Sequence, residues 1–192
     1  MAKLYFRYSA MNAGKTTQLI QVKHNYEERD QNVMVLKPII DKRDSAEKIK
    51  SRIGIECCTT LFDDKANVFD LIRTCNETKR INCILIDEAQ FMTREQVLQL
   101  CSAIDDLNIP CIAYGLRSDF RGELFPGSEA LLSFADSIEE LKTICWCGKK
   151  AIMNTRLMNG EAVYEGEQVQ IGGNESYISL CRKHWKEGKV RP

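Results

Sequence analysis

The sequence predicts an α/β fold: a parallel sheet with helices on both faces, followed by a small C-terminal lobe of different texture. Three observations carry this. Over the first 143 residues, short apolar runs alternate with stretches of helical periodicity. The strand-like runs are apolar along their length, as strands buried on both faces are. From Cys145 to Pro192 the alternation stops, and glycines, short β-like runs and a Cys/His cluster replace it.

In order, Leu4–Tyr8 is rich in aromatics and reads as a strand. A Gly-Lys-Thr turn follows at Gly14–Thr16, then a helix to about Arg29. Val33–Leu36 is a buried strand, and Pro38 to Arg52, polar and charged, reads as a mobile loop. Val68, Leu71, Ile72 and Cys75 recur at helical spacing. Asn82–Asp87 is the clearest buried strand. Thr93-x-x-Gln96 has the pattern of a capping box, and Val97, Leu100, Cys101, Ile104 and Leu107 continue the helix it opens. Pro110–Tyr114 is the next strand. The division between the two parts falls near Thr143–Cys145, giving units 1–143 and 144–192.

Composition removes several classes of function. With 192 residues and 44% of them hydrophobic, the chain can build one real core. Twenty-seven basic and 27 acidic residues cancel, which argues against a duplex nucleic-acid or anionic-membrane partner. Apolar stretches such as Cys83–Asp87 and Cys111–Tyr114 are far shorter than the roughly 18 residues that span a bilayer. The N-terminus shows no long apolar export segment, so a soluble, cytoplasmic protein is expected. Nine cysteines, an odd count, fit no disulfide framework. Cys57, Cys58, Cys75, Cys83, Cys101 and Cys111 read as small buried hydrophobes, and His24 as a solvated helix residue.

Ser9-Ala10-Met11-Asn12-Ala13-Gly14-Lys15-Thr16 fits the phosphate-loop pattern G-x-x-x-x-G-K-[ST], except that Ser9 replaces the first glycine. Each part has a task. Loop N–H groups and the helix N-terminus bind phosphate oxygens. Gly14 allows close backbone approach, Lys15 reaches the β- and γ-phosphates, and the Thr16 hydroxyl can ligate Mg2+. A strand before the loop and a helix after it supply the right context. The second half of such a site is an acidic residue at a strand end. Ile84-Leu85-Ile86-Asp87-Glu88 provides it, with Asp87 for magnesium and Glu88 placed to act on a nucleophile beside the γ-phosphate. The fold class is therefore P-loop NTPase-like.

In the lobe, Cys145-x-Cys147 precedes Cys181-x-x-His184 by 33 residues. Two short ligand pairs are what a closed, tetrahedral, structural Zn2+ site requires. The segment between them is too small to bury a core of its own, so a metal staple is the expected support.

Four separated segments resemble thymidine kinase of the cytosolic type shared by bacteria and animal cells, and most resemble its bacterial branch. They are the phosphate loop Ser9–Thr16, Asp87-Glu88-Ala89-Gln90-Phe91, Tyr114–Gly122 and Ile171-Gly172-Gly173. The resemblance runs from Leu4 to about Trp185. It implies transfer of the γ-phosphoryl group of ATP to the 5′-hydroxyl of thymidine, with Glu88 as general base. It puts Ala89 and Gln90 beside Asp87 and Glu88 at the ATP site. Asp41-Lys42-Arg43 matches a D-x-R element near the phosphates, making Arg43 the transition-state cation. Phe91, Leu116, Phe120, Phe125, Ile171, Gly172, Gly173 and Tyr177 match the nucleoside pocket. In the family the base edge is read mainly by main-chain groups of the loop after the strand Val169–Ile171, here Gly172–Ser176. Phe120 and Phe125 lie in a segment with Pro126 and Gly115, Gly122 and Gly127, which reads as loop. Exposed aromatics there need a task, and in the family this is a lasso over the nucleoside. The family's zinc lobe usually starts Cys-x-x-Cys; this chain has the shorter Cys-x-Cys. The resemblance further implies a homotetramer, inhibited by dTTP. Two other readings stay open: a deoxynucleoside kinase of different base preference, and a zinc-ribbon P-loop ATPase acting on nucleic acid through the basic segment Arg182–Lys186.

Overall fold

A computed structural model of the chain describes residues 1–39, 48–169 and 177–192. Six strands form one parallel sheet: β1 (Leu4–Ser9), β2 (Val33–Pro38), β5 (Thr60–Phe62), β6 (Cys83–Ile86), β7 (Cys111–Leu116) and β8 (Ser137–Glu140), in the order β5-β2-β6-β7-β1-β8. Between β2 and β5 lies an antiparallel hairpin of β3 (Lys48–Lys50) and β4 (Glu56–Cys58). The helices are α1 (Lys15–Glu27), α2 (Val68–Thr78), α3 (Arg94–Leu107) and α4 (Pro126–Phe134).

The apolar runs explain the layering. In β6, Ile84 and Ile86 face the layer of α2, α3 and α4, where they meet Ile72, Leu100 and Leu131. Cys83 and Leu85 face the other way, onto Leu19 and Ile20 of α1. A strand covered on both sides has no solvent face, so it shows no polar alternation. Thr93 opens α3 with the expected reciprocal bonds: its Oγ1 accepts from Gln96 N at 3.1 Å, and Gln96 Oε1 accepts from Thr93 N at 3.1 Å.

Register sets where chemistry can occur. Ser9 pairs with Leu116, and Ile86 with Ala113, so the carboxyl ends of β1, β6 and β7 come to one edge. In an open parallel sheet that edge is where ligands bind.

The remainder folds as two small sheets and a helix. β9 (Thr143–Ile144) pairs with β10 (Lys150–Ala151), and β11 (Met153–Met158) lies between β12 (Glu161–Val163) and β13 (Tyr177–Leu180). Helix α5 (Arg182–Glu187) follows.

Several expectations change. Lys48–Lys50 is a strand rather than part of a loop, and β4, β5 and β8 add strands the sequence did not suggest. Three-residue strands are too short to show a period. Phe120 and Phe125 are 1% and 5% exposed, so they are buried, not displayed. The segment around them is not all loop, since β7 runs through Gly115 to Leu116 and α4 begins at Pro126. Gly127 is a helix residue, kept bare by proximity: a Cβ there would lie 2.5 Å from Ala89 O and 2.8 Å from Gln90 O. Among the cysteines, Cys83 and Cys111 are buried, Cys57, Cys75 and Cys101 are half-buried, and Cys58 is exposed. His24 is exposed, with Nε2 3.4 Å from Glu28 Oε1.

Candidate active site and metal centre

The loop between β1 and α1 turns through two left-handed residues, Asn12 at φ 65° and Gly14 at φ 78°. Nothing lies within 4 Å of where a Gly14 Cβ would stand, so the glycine serves the backbone angle and leaves the loop open. Lys15 is buried; its Nζ donates to Ser9 Oγ at 3.0 Å and to Ala10 O at 3.4 Å. The Ser9 hydroxyl thus takes a place at the base of the loop, where the usual glycine would offer no side chain. Loop residues Met11–Thr17 line a cavity of about 380 Å3 together with Lys50, Arg52, Glu88 and Leu116.

Across the cavity, the Thr16 hydroxyl donates to Asp87 Oδ2 at 3.2 Å and the Glu88 N–H to Asp87 Oδ1 at 3.1 Å. Burial pushes the Asp87 carboxyl up to about 7, with the Glu88 charge adding to it and Lys15 opposing. Burial also lowers the Lys15 ammonium from its ordinary value, against the pull of Glu88 and Asp87. Two adjacent carboxylates facing one desolvated lysine leave a local demand for positive charge. The oxygens of Thr16 and Asp87 suit a hard cation such as Mg2+.

Glu88 itself sits at φ 52°, an uncommon angle for a residue with a side chain. Its Oε2 accepts from Gln90 Nε2 at 2.6 Å, and Gln90 Oε1 accepts from Leu116 N at 3.0 Å. Gln90 is fully buried and pinned against β7, where a Cβ on Gly115 would lie 3.0 Å from its Oε1. Ala89 is packed in the core below.

A second cavity, about 230 Å3, adjoins the first and shares Met11, Glu88 and Leu116 with it. Phe91, Phe120, Phe125 and Tyr177 line it together. Phe91 and Phe125 meet edge to face, 5.5 Å between centroids. Asp119, Asn154 and Gln168, which sequence reading passes over, also line it, and Arg156 packs behind Phe120 and Tyr177. Arg156, 4% exposed, stacks 3.8 Å from the Phe120 ring centroid, and its Nε donates to the Tyr177 hydroxyl at 2.9 Å. Asp119 caps its own turn, accepting from Arg121 N at 2.8 Å and Glu123 N at 2.9 Å, and its Oδ2 accepts from Gln168 Nε2 at 3.2 Å. The local Asp-x-x-Gly pattern could have pointed to Asp119; no local signal marks Arg156, Asn154 or Gln168. Lys50 and Arg52 were missed because their hairpin read as loop. Arg43 and Ile171-Gly172-Gly173 lie outside the described residues.

In the lobe, the Sγ atoms of Cys145, Cys147 and Cys181 and a ring nitrogen of His184 all lie within 4.8 Å of one another. His184 Nδ1 is 3.4 Å from Cys145 Sγ and 3.5 Å from Cys181 Sγ, and Cys147 Sγ is 4.0 Å from Cys181 Sγ. Tetrahedral zinc with ordinary bond lengths would set S···S near about 3.8 Å and S···N near about 3.6 Å. The four groups fit, and the short Cys-x-Cys spacing still brings Cys147 into the set. Cys181 is the N-cap of α5, and the His184 N–H leads in holding its thiol below the usual range, which favours the ligating thiolate. Trp146 stacks on the His184 ring at 4.1 Å.

A parallel α/β sheet, a glycine-turned phosphate loop after its first strand and an acidic pair after β6 define a P-loop nucleotide-binding protein, here with a Cys3His lobe compatible with structural zinc. A family model, "Thymidine kinase", matches residues 2–185. A thymidine kinase of Legionella pneumophila (strain Paris) is 55% identical over 192 residues, covering 99% of this chain and 92% of that protein. Those of Aliivibrio fischeri and Escherichia coli (strain K12) are 53% and 54% identical over 188 residues, covering 97% of this chain and 98% and 92% of theirs. The chain belongs to the thymidine kinase family.

Proposed function

We propose that the protein transfers the γ-phosphoryl group of ATP to the 5′-hydroxyl of thymidine, giving dTMP and ADP. The observation that carries this is the position of Glu88, whose side chain borders both the phosphate-loop cavity and the aromatic cavity. A nucleoside seated among Phe91, Phe120, Phe125 and Tyr177 would present its 5′-hydroxyl at that shared wall. Glu88 accepts the hydroxyl proton, and Gln90 holds the carboxylate in place through Leu116 N. Loop N–H groups and Lys15 bind the phosphates. Thr16 and Asp87 would hold Mg2+, which when bound with ATP neutralises charge across the β- and γ-phosphates. Arg43 is the proposed transition-state cation, and Lys50 and Arg52 are further cations at the same cavity. The loop Ile171–Gly173 is proposed to read the pyrimidine edge.

Zinc at Cys145, Cys147, Cys181 and His184 would act as a staple for residues 144–192, which form a lobe distinct from the sheet of 1–143. Because the two cavities share a wall, one dTTP molecule spanning both would exclude both substrates, which supports feedback inhibition. A homotetramer in the cytoplasm completes the proposal; no described helix is long and apolar enough to cross a membrane.

The test is to incubate the zinc-loaded protein with Mg-ATP and, separately, thymidine, deoxyuridine, deoxycytidine and deoxyadenosine, and to separate the monophosphates by chromatography. Phosphorylation of thymidine and deoxyuridine alone is expected. Turnover of deoxycytidine or deoxyadenosine instead would replace the base assignment, and no turnover of any would contradict the nucleoside pocket.

A further inference from the structure

One residue of the phosphate loop is held at both its backbone N–H and its C=O by the lobe. The Met11 N–H donates to Asn154 Oδ1 at 2.8 Å, and the Ser179 hydroxyl donates to Met11 O at 2.6 Å. Asn154 and Ser179 are partners across the antiparallel pair β11–β13, so a single rung of that ladder holds both ends of the residue. Both are nearly buried, at 3% and 6% exposure. Asn154 Nδ2 also donates to Ser118 O at 2.8 Å, beyond the end of β7, which ties the rung to the segment leading to Phe120. Directly after Met11, the chain enters the left-handed turn at Asn12. β13 ends at Leu180, one residue before the cluster residue Cys181.

We infer that Asn154 and Ser179 are positioning residues for ATP: the Cys3His lobe fixes the phosphate loop through the backbone N–H and C=O of Met11. Neither the N–H nor the C=O of Met11 is left for the nucleotide. Their engagement sets the two peptide planes that flank Met11 and holds residue 12 in its uncommon conformation, which aims the following N–H groups into the phosphate cavity. The lobe therefore serves both substrates, walling the nucleoside cavity with Tyr177 and shaping the nucleotide cavity with Ser179, which lines neither. The inference rests on the reading of Ser9–Thr16 as the ATP phosphate loop.

Ser179 allows a clean test. Ser179→Ala, Ser179→Val and Ser179→Thr are made in the full-length, zinc-loaded protein. Affinities for a non-hydrolysable ATP analogue with Mg2+ and, separately, for thymidine are measured by calorimetry. Loss of the hydroxyl leaves Met11 O without that partner in a partly buried place, so Ala and Val should weaken the analogue about five- to tenfold. Thymidine alone should stay within about twofold of wild type, zinc content should not change, and KM for ATP should rise more than kcat falls. Threonine keeps the hydroxyl on a side chain that suits a strand, and should restore analogue binding; the Val–Thr pair, alike in shape, carries the test if Ala does not fold. Analogue affinity unmoved in Ala and Val, or thymidine affinity falling as far as analogue affinity, would overturn the inference. Wild-type protein that bound no analogue would instead contradict the phosphate-loop reading itself.

Discussion

Glu88 stands at φ 52° two residues past the buried strand β6, and its carboxylate is held by a glutamine that is itself fixed to β7. A left-handed residue with a side chain costs on the order of 1–3 kcal/mol and persists where surrounding packing enforces it. That enforcement is visible in Gly127 and Gly115, whose missing side chains let α4 and β7 close on the turn Ala89–Phe91. Gly127→Ala should therefore cost about 2 kcal/mol or more, read as a lowered thermal midpoint, because its Cβ would meet three backbone carbonyls at 2.5–2.8 Å. Gln90→Leu should fold but lose about tenfold in kcat, with thymidine affinity within about threefold; an unchanged kcat would remove Gln90 from the positioning of Glu88. At this scale, the phosphate loop and the acidic pair were legible because each is contiguous. The hold of Gln90 on Leu116 N, 26 residues away, was not, since a single sequence shows no contacts between distant segments.

Among the elements, those with a strong period or a defined start were legible. Thr93 and Gln96 announced α3, and the capping box formed. Thr93→Ala should cost about 1 kcal/mol in a denaturant titration, since two N-terminal N–H groups of the helix then lose their arrangement. The hairpin β3–β4 and the edge strands β5 and β8 were not legible. They are three or four residues long, and tertiary pairing rather than local pattern makes them strands. Their omission hid Lys50 and Arg52, which the hairpin brings to the phosphate cavity. Arg52→Gln should raise KM for Mg-ATP about threefold or more without moving thymidine affinity, measured by steady-state kinetics and calorimetry.

For the whole molecule, residues of the sheet's loops and of the lobe line one cavity together. Trp185, next to the cluster residue His184, donates from its indole Nε1 to Phe120 O at 3.0 Å, and Arg156 links Phe120 to Tyr177. The sequence marked the lobe through its cysteines but could not show which of its side chains reach the nucleoside cavity. Stripping the metal under denaturing conditions and refolding without zinc should raise the thymidine KM or abolish folding. Both tryptophans lie in the lobe, at Trp146 on the His184 ring and at Trp185 on Phe120 O, so intrinsic fluorescence should shift to the red in step. Unchanged kinetics in verified zinc-free protein would contradict the structural role of the cluster.

The central claim is that Glu88 takes the proton of a nucleoside hydroxyl at the wall between the two cavities. The most direct measurement is a single-turnover rate of dTMP formation with thymidine and Mg-ATP both saturating, for wild type and Glu88→Gln, beside calorimetric thymidine affinity for each. The amide keeps the shape and the contact with Gln90 while giving up the basic oxygen. The chemical step in Glu88→Gln should be slowed on the order of a hundredfold or more, with thymidine affinity within about threefold. A Glu88→Gln enzyme turning over at the wild-type rate would contradict the claim.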